Sequence, residues 1–144
     1  MKRGLSGLVG GFSGGVIKII IDQLLFTSGI SPVNTVGSYS RLFLGAEGSS
    51  TILGWIIYII ATSFSGWIIS LILYNKSIFN YFTSGIIVGV SFWIIMNVIF
   101  SISGTVIPTW SLGGPSIISD LITHSFLGVI ITYFISRSRI EARD

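Results

Sequence analysis

The sequence predicts an all-α integral membrane protein, built as a four-helix bundle with a short helix at the outer interface. Of its 144 residues, 51% are hydrophobic and only 9% are charged, whereas a soluble domain carries about 25% charge. Four segments also have the ~20-residue apolar length that a ~30 Å hydrocarbon core requires. So few charges cannot cover a water-facing surface, and we therefore expect membrane lipids to surround most of the chain.

The four predicted spans belong to one transmembrane domain that covers residues 1–144. They run roughly over 5–28, 51–74, 81–103 and 117–136. Residues suited to cap a helix precede three of them, namely Ser50, Asn80 and the pair Pro115-Ser116. Lys2 and Arg3 before an apolar run resemble a signal peptide. No cleavage-site pattern follows, so we interpret the run as a retained first helix.

The basic residues indicate the orientation of the chain. Four spans place both termini on one side of the membrane. That side receives six of the eight basic residues, Lys2, Arg3, Lys76, Arg137, Arg139 and Arg143. The opposite side receives only Arg41, so the positive-inside rule predicts that both termini are cytoplasmic. Because membrane topology explains the excess of basic over acidic residues, we expect no nucleic-acid partner.

The outer connection between the first two spans is too long for a simple turn. Ser31 and Pro32 are suited to begin a helix there, and Gly45 is suited to end it. Its apolar residues fall on one stripe, Val36, Tyr39 and Phe43. A short helix over residues 31–45 that lies at the outer interface fits this pattern. An ordered polar loop is the alternative.

Each span carries small or polar residues at four-residue spacing. They are Gly10, Gly14, Lys18 and Asp22 in the first; Gly54, Tyr58, Thr62, Gly66 and Ser70 in the second; Gly85, Gly89, Trp93, Asn97 and Ser101 in the third; and Asp120, His124, Gly128 and Thr132 in the fourth. The first span has a second row, Gly7, Gly11 and Gly15. Helices in lipid associate where small residues let backbones approach. We therefore expect these glycines to pack helices, and the two rows of the first span to mediate a homo-oligomer.

The stripes also suggest an internal duplication. A shift of 75 residues superposes Gly10, Gly14, Lys18 and Asp22 on Gly85, Gly89, Trp93 and Asn97. A shift of 62 aligns residues 63–70 with residues 125–132. These matches fit two parallel two-helix repeats. Chance matching of low-complexity apolar sequence explains them equally well.

Ionisable residues lie within the predicted spans, in two i,i+4 pairs. One pair is Lys18 with Asp22, and the other is Asp120 with His124. Counting residues from the outer helix ends places both pairs, with Tyr58 and Asn97, roughly 5–15 Å below the outer interface. A charge near the bilayer centre costs about 2.5–3.5 kcal/mol on insertion scales. The six residues are therefore predicted to meet in one intramembrane polar cluster.

Two functions are compatible with such a cluster. In the first, the protein is a small transport or proton- or ion-conducting module whose path is lined by Lys18, Asp22, Asp120 and His124. In the second, it is a structural or assembly protein, and the cluster only specifies helix packing and oligomerisation. The second hypothesis includes an unknown membrane partner. Sequence alone leaves both hypotheses open.

Other chemistries have little support in the sequence. The absence of cysteine excludes thiol catalysis and thiolate metal sites. No Ser–His–Asp arrangement is recognisable, and His124 is the only histidine. A metal site would combine that histidine with carboxylates from different helices, which is a weak signal. We therefore expect no catalytic residues, no enzyme activity, no metal and no cofactor.

The chain resembles small bacterial inner-membrane proteins of the YagU type, and more loosely the YqhR type. The matching features are a glycine-rich first helix that leads into Lys18-Ile-Ile-Ile-Asp22, a proline-bearing outer loop, and Asp120-Leu-Ile-Thr-His124 in the fourth helix. Related proteins carry further histidines where this chain has Trp55 and Trp93. The resemblance implies a multi-pass protein of the bacterial cytoplasmic membrane, and it supplies no agreed activity.

Overall fold

The computed structural model describes residues 4–45, 47, 50–73 and 80–141. This part of the chain forms five α-helices and one 3-10 turn. The helices are α1 (Leu5–Thr27), α2 (Thr35–Leu44), α3 (Thr51–Leu73), α4 (Tyr81–Ser103) and α5 (Gly114–Glu141), and the 3-10 turn is Thr109–Ser111. We call the end of the bundle that carries α2 and the 3-10 turn the α2 end. The other end, where α1 begins and α5 ends, is the terminal end.

Four of these helices are long and apolar enough to cross a membrane. α1, α3, α4 and α5 have windows of mean hydropathy 1.5, 2.1, 2.2 and 1.6. Side chains such as Ile52, Ile60 and Ile102 are largely exposed, whereas Lys18, Asn97 and Thr132 are buried. This inversion of a soluble protein's surface is what lipid requires. The chain is therefore a multi-pass membrane protein with an all-α fold, as predicted.

The fourth span is longer than predicted at both ends. α5 begins at Gly114 rather than Ile117, and it continues to Glu141 rather than stopping near Ser136. Pro115 therefore lies inside the first turn of α5, where a missing backbone N–H costs nothing. At the other end, polar residues such as Arg137 end the apolar span without ending the helix.

The short helix also differs from its prediction. Its N-cap is Asn34, whose side chain accepts a hydrogen bond from the N–H of Gly37 at 2.9 Å, so Ser31 and Pro32 precede the helix. Gly45 ends it with a positive φ of 83°, as predicted. Only part of the predicted stripe is buried: Val36 and Tyr39 pack against the bundle, whereas Phe43 is 67% exposed. The apolar face of α2 thus closes one end of the bundle.

α1 is the central helix of the bundle. It packs against α3 on one side and α5 on the other, and α4 packs against α5. The predicted stripes are buried in α1, α3 and α5, whereas in α4 Trp93 is only partly buried and Ser101 is exposed. α3 packs on α1, and α4 packs on α5. An apolar groove of about 340 Å³ opens between α3 and α4. Polar groups are thereby concentrated around α1 and α5.

Glycines set the closest helix crossings. Gly7 and Gly11 contact the backbone of α3 near Gly66, while Gly85 and Gly89 contact the backbone of α5 near Gly128. The second row of α1 is also occupied, because Gly10 contacts Ile131 and Gly14 contacts Leu127, both in α5. Both glycine rows of α1 are therefore used within one chain. A homo-oligomer stays a prediction, but it would need another surface.

These contacts give the two helix pairs a common arrangement. Gly66 meets two glycines of α1, as Gly128 meets two glycines of α4. The equivalence of Gly66 and Gly128 agrees with the shift of 62 residues. In α1, however, Gly7 and Gly11 have the role of Gly85 and Gly89, and the shift of 75 residues instead matches Gly10 and Gly14 with them. Both of these glycine pairs face α5, so the longer shift does not match the glycines with which α1 contacts α3.

We expect Gly66→Ala and Gly128→Ala to destabilise the fold, because each new Cβ would lie under 3.0 Å from the backbone of the facing helix. The expected loss is ~1–3 kcal/mol or more of unfolding free energy. Reversible unfolding in mixed micelles measures it. Gly114→Ala is the matched control, since nothing lies within 4 Å of its Cβ position. Equal stability of all three variants would contradict the crossings described.

Candidate functional site

The site is built around the buried side chain of Lys18. Its Nζ donates a hydrogen bond to Asp22 Oδ2 at 2.5 Å and to Asp120 Oδ1 at 3.2 Å. Only 1% of the lysine side chain and 6% of each carboxylate is exposed. The first ion pair lies within α1, and the second joins α1 to α5. Lys18 thus pairs with a carboxylate on each of two adjacent helices, α1 and α5.

Each carboxylate has further hydrogen-bond donors. Asp22 Oδ2 accepts from Thr35 Oγ1 at 2.9 Å, which attaches α2 to α1. Asp120 Oδ2 accepts from Trp93 Nε1 at 3.1 Å, which attaches α4 to α5. Lys18, Thr35 and Trp93 all donate hydrogen bonds to the two carboxylates. This arrangement fits ionised carboxylates, which accept hydrogen bonds and donate none.

The geometry of His124 defines its tautomer. Its Nδ1 lies 2.8 Å from the carbonyl oxygen of Asp120 and 2.9 Å from Asp120 Oδ1. Both neighbours are acceptors, so Nδ1 carries the proton, and Nε2 of the neutral ring presents a lone pair. Nε2 is buried and has no hydrogen-bond partner among the described residues. It is therefore the atom of this site at which a proton can be added.

Two tyrosines lie beside the charges without hydrogen-bonding to them. The Tyr58 ring centroid is 5.9 Å from Lys18 Nζ, and the Tyr39 ring packs edge-on against Tyr58 at 4.8 Å. Both hydroxyls are buried, and neither has a partner within the described ranges. Burial and the neighbouring Tyr58 raise the pKa of Tyr39, so its phenol stays neutral. Both hydroxyls can therefore donate or accept a hydrogen bond.

The three residues that carry these unpartnered atoms line one small cavity. It has a volume of about 20 Å³. Its lining includes Tyr39, Tyr58, Asp120 and His124, and also Asn97 and Thr109. Four of the five α-helices and the 3-10 turn contribute to it. The cavity therefore lies where the helices converge, directly beside the ion pairs.

Asn97 belongs to the same layer but contacts no charged group directly. Its Oδ1 accepts from Thr109 Oγ1 at 2.9 Å, and its Nδ2 donates to the Trp93 carbonyl oxygen at 2.9 Å. Trp93 Nε1 lies 3.2 Å from Thr109 Oγ1 as well as near Asp120. Asn97 thus fixes the 3-10 turn against α4. Its link to the ion pairs passes through Trp93.

The predicted polar cluster is close to the arrangement that the structure contains. Lys18, Asp22, Asp120 and His124 make direct contacts, and we call these four residues the charged core. Tyr58 and Asn97 border the same cavity. Four further members are not among the six predicted residues, namely Thr35, Tyr39, Trp93 and Thr109. Tyr39 and Trp93 lie on predicted stripes, and Thr35 lies within the predicted short helix, but local spacing does not show that these side chains reach the cluster. Thr109 lies in a connection, which periodicity does not describe.

The charged core has an unequal number of charges. With His124 neutral, Lys18 contributes one positive charge, and Asp22 and Asp120 contribute two negative charges. A proton on His124 makes the sum zero. Since a net charge is costly in a low-dielectric interior, the core attracts one cation, and the bare Nε2 is positioned to receive a proton. In the described ranges, no three His, Asp or Glu residues are grouped to hold a metal ion.

We expect Lys18→Met to destabilise the protein by ~3–5 kcal/mol, because it leaves two buried carboxylates without their cation. The triple variant Lys18→Met, Asp22→Asn, Asp120→Asn should be more stable than this single variant, since no uncompensated charge remains. Unfolding in mixed micelles compares the two. A single variant at least as stable as the triple would mean that the ion pairs do not hold α1 to α5.

Comparison with known proteins gives no relative. No protein-family model matches the chain, and neither a curated protein nor a solved structure is significantly similar to it.

Proposed function

We propose that this protein is a small membrane transport module that binds a proton at the charged core and receives it from the α2 end. The observation that carries the proposal is the bare, buried Nε2 of His124 beside ion pairs that hold one excess negative charge. Histidine is the side chain most able to change its charge near neutral pH. Binding one proton brings the net charge of the charged core to zero without breaking an ion pair.

The α2 end supplies a route towards this site. A vestibule of about 150 Å³ is lined by residues of α2 and the neighbouring connections, including Asn34 and Arg41. Val33 and Ser38 line both this vestibule and the cavity beside His124. These two residues therefore lie between the vestibule and the cavity beside the core. This short separation supports access from that side.

The terminal side of the core is closed by apolar packing. Leu127, Ile131 and Ile135 of α5 are at most 2% exposed and form a separate hydrophobic cluster. A crevice next to them, between Thr62 and Phe92, contains no volume for a water molecule. A continuous water-filled pore does not fit this packing. The arrangement favours a gated transporter, in which release towards the terminal end requires a second conformation.

The orientation belongs to the same proposal. Under the positive-inside rule the termini lie in the cytoplasm of a bacterial cell, and the α2 end faces outward. Of the basic residues behind this assignment, Lys2, Arg3, Lys76 and Arg143 lie outside the described residues. Arg137 and Arg139 are near the end of α5, where the assignment requires them. The resemblance to YagU-type proteins agrees with this location and stays a prediction.

A second candidate function rests on the number of elements that the cluster joins. Lys18 joins α1 to α5, Thr35 joins α2 to α1, and Trp93 joins α4 to α5. A set of polar bonds distributed in this way also fits a structural or assembly protein, alone, as a homo-oligomer or with a membrane partner. In that case the cluster specifies packing, and no proton crosses the membrane.

The two functions predict different results for Asp120→Asn in proteoliposomes under an imposed potential. Transport predicts proton flux in the wild type and at least a tenfold loss in Asp120→Asn, because the neutral amide no longer stabilises a protonated His124. A pH-sensitive dye inside the vesicles measures the flux. Glu47→Gln is the control, since it removes a carboxylate outside the four spans.

A structural role predicts that the wild type leaks no faster than empty vesicles and that Asp120→Asn only lowers stability. Folding of each variant is checked by circular dichroism before reconstitution. Flux that is unchanged in folded Asp120→Asn would contradict a pathway through the charged core.

The orientation can be tested with single cysteines, because the chain has none of its own. Ile107→Cys reports on the α2 end and Ile140→Cys on the terminal end, at positions that are 65% and 62% exposed. A membrane-impermeant thiol reagent should label the first variant on intact spheroplasts and the second only after permeabilisation. The reverse pattern would place the termini outside.

A further inference from the structure

The cavity beside the charged core has the properties of a binding site. Three of its lining residues, Tyr39, Tyr58 and His124, are each at most 5% exposed. Each also has a side-chain polar atom without a partner in the described part of the chain. Buried polar groups without partners are costly, and native proteins rarely retain them. That three residues lining one cavity each carry such an atom therefore points to a ligand.

The volume of the cavity limits that ligand to the size of one water molecule. The space is about 20 Å³, and a single water needs at least ~10–15 Å³ on this scale. A buried water typically makes 2–4 hydrogen bonds. Tyr39, Tyr58 and His124 supply three partners. Both the size and the number of polar atoms match one water.

The hydrogen-bonding capacities of these three atoms also fit water. Nε2 of neutral His124 can only accept a hydrogen bond, because Nδ1 carries the proton. The occupant must therefore donate to it. The hydroxyls of Tyr39 and Tyr58 can accept its second hydrogen or donate to its oxygen. One water can satisfy all three atoms at once, because it donates to Nε2 and exchanges hydrogen bonds with the two hydroxyls.

We propose that the cavity is a single-water site, and that its water delivers a proton from the α2 end to Nε2 of His124. The water site stands on the geometry alone, and the delivery step rests on the proposed function. In that step an O–H bond of the bound water breaks and an N–H bond forms at Nε2. The bound water regains a proton from the water of the vestibule, so His124 gains one proton and bulk water loses one.

The surroundings of His124 are compatible with this step. The titratable groups near it are Asp120 on its own helix, Lys18 and Asp22 on α1, Tyr39 on α2 and Tyr58 on α3. The residues that α4 places around the cavity and His124 are Phe92, Met96, Asn97 and Phe100, none of which titrates. A positive charge on His124 is thus offset by Asp120 at 2.9 Å.

Val33 lies, with Ser38, between the two spaces. It is 8% exposed and lines both the cavity and the vestibule. Val33→Ile adds one methylene at this boundary and should fill the cavity. Tyr58→Phe removes one partner of the water without a change of volume. Tyr133→Phe is its matched control, because Tyr133 is 39% exposed and does not line the cavity.

The experiment uses the single histidine of the 144-residue chain in lipid bilayers. Selective ¹⁵N-histidine labelling gives one pair of ring signals in solid-state NMR. In the wild type, magnetisation should pass from water to His124, the neutral ring should carry its proton on Nδ1, and acidification should protonate Nε2. The transfer from water should be lost in Val33→Ile, several-fold weaker in Tyr58→Phe and unchanged in Tyr133→Phe.

Absence of the transfer in folded wild-type protein would overturn the water site. A transfer that both Val33→Ile and Tyr58→Phe leave unchanged would overturn its location in this cavity. If Val33→Ile does not fold, Tyr58→Phe alone decides. Water contact without proton flux in vesicles would support the site and overturn transport, whereas flux without water contact would overturn the delivery step.

Discussion

The ion pairs of Lys18 with Asp22 and Asp120 are the interaction on which the rest of the structure depends. An ammonium group inside a membrane span is tolerated only with partners supplied by the protein. Here the partners come from α1 itself and from α5, so the two helices must lie side by side and in one register. Thr35 and Trp93 then donate to the same carboxylates, which attaches α2 and α4 to the central pair.

Close backbone crossings make this core compact. Lipid gives apolar helices little reason to associate, and glycines compensate by allowing short distances between helices. Gly66 brings α3 against α1, and Gly128 brings α5 against α4. The result leaves no room for water in the crevice on the terminal side, and it leaves a small cavity beside the ion pairs on the other. This asymmetry is more informative about function than the ion pairs alone, because it gives the core one accessible side.

Much of this arrangement was predictable because a four-residue spacing marks one face of a helix. The spacing identified all the residues of the charged core and the five buried positions of α3. It could not show which partner each face meets, so the two glycine rows of α1 suggested an oligomer although α3 and α5 occupy them. Nor could it show that α2 folds inward, since the burial of Tyr39 depends on tertiary packing rather than on local pattern.

In the proposed function the charged core binds its proton on His124, and the two aspartates keep their charges. Infrared difference spectroscopy of the protein in bilayers, recorded as the pH is lowered, distinguishes these groups. We expect imidazolium bands, absent from His124→Gln, with no new carbonyl band of a protonated carboxylic acid. A carboxylic acid band that is lost in Asp22→Asn or Asp120→Asn, without imidazolium bands, would contradict proton binding on His124.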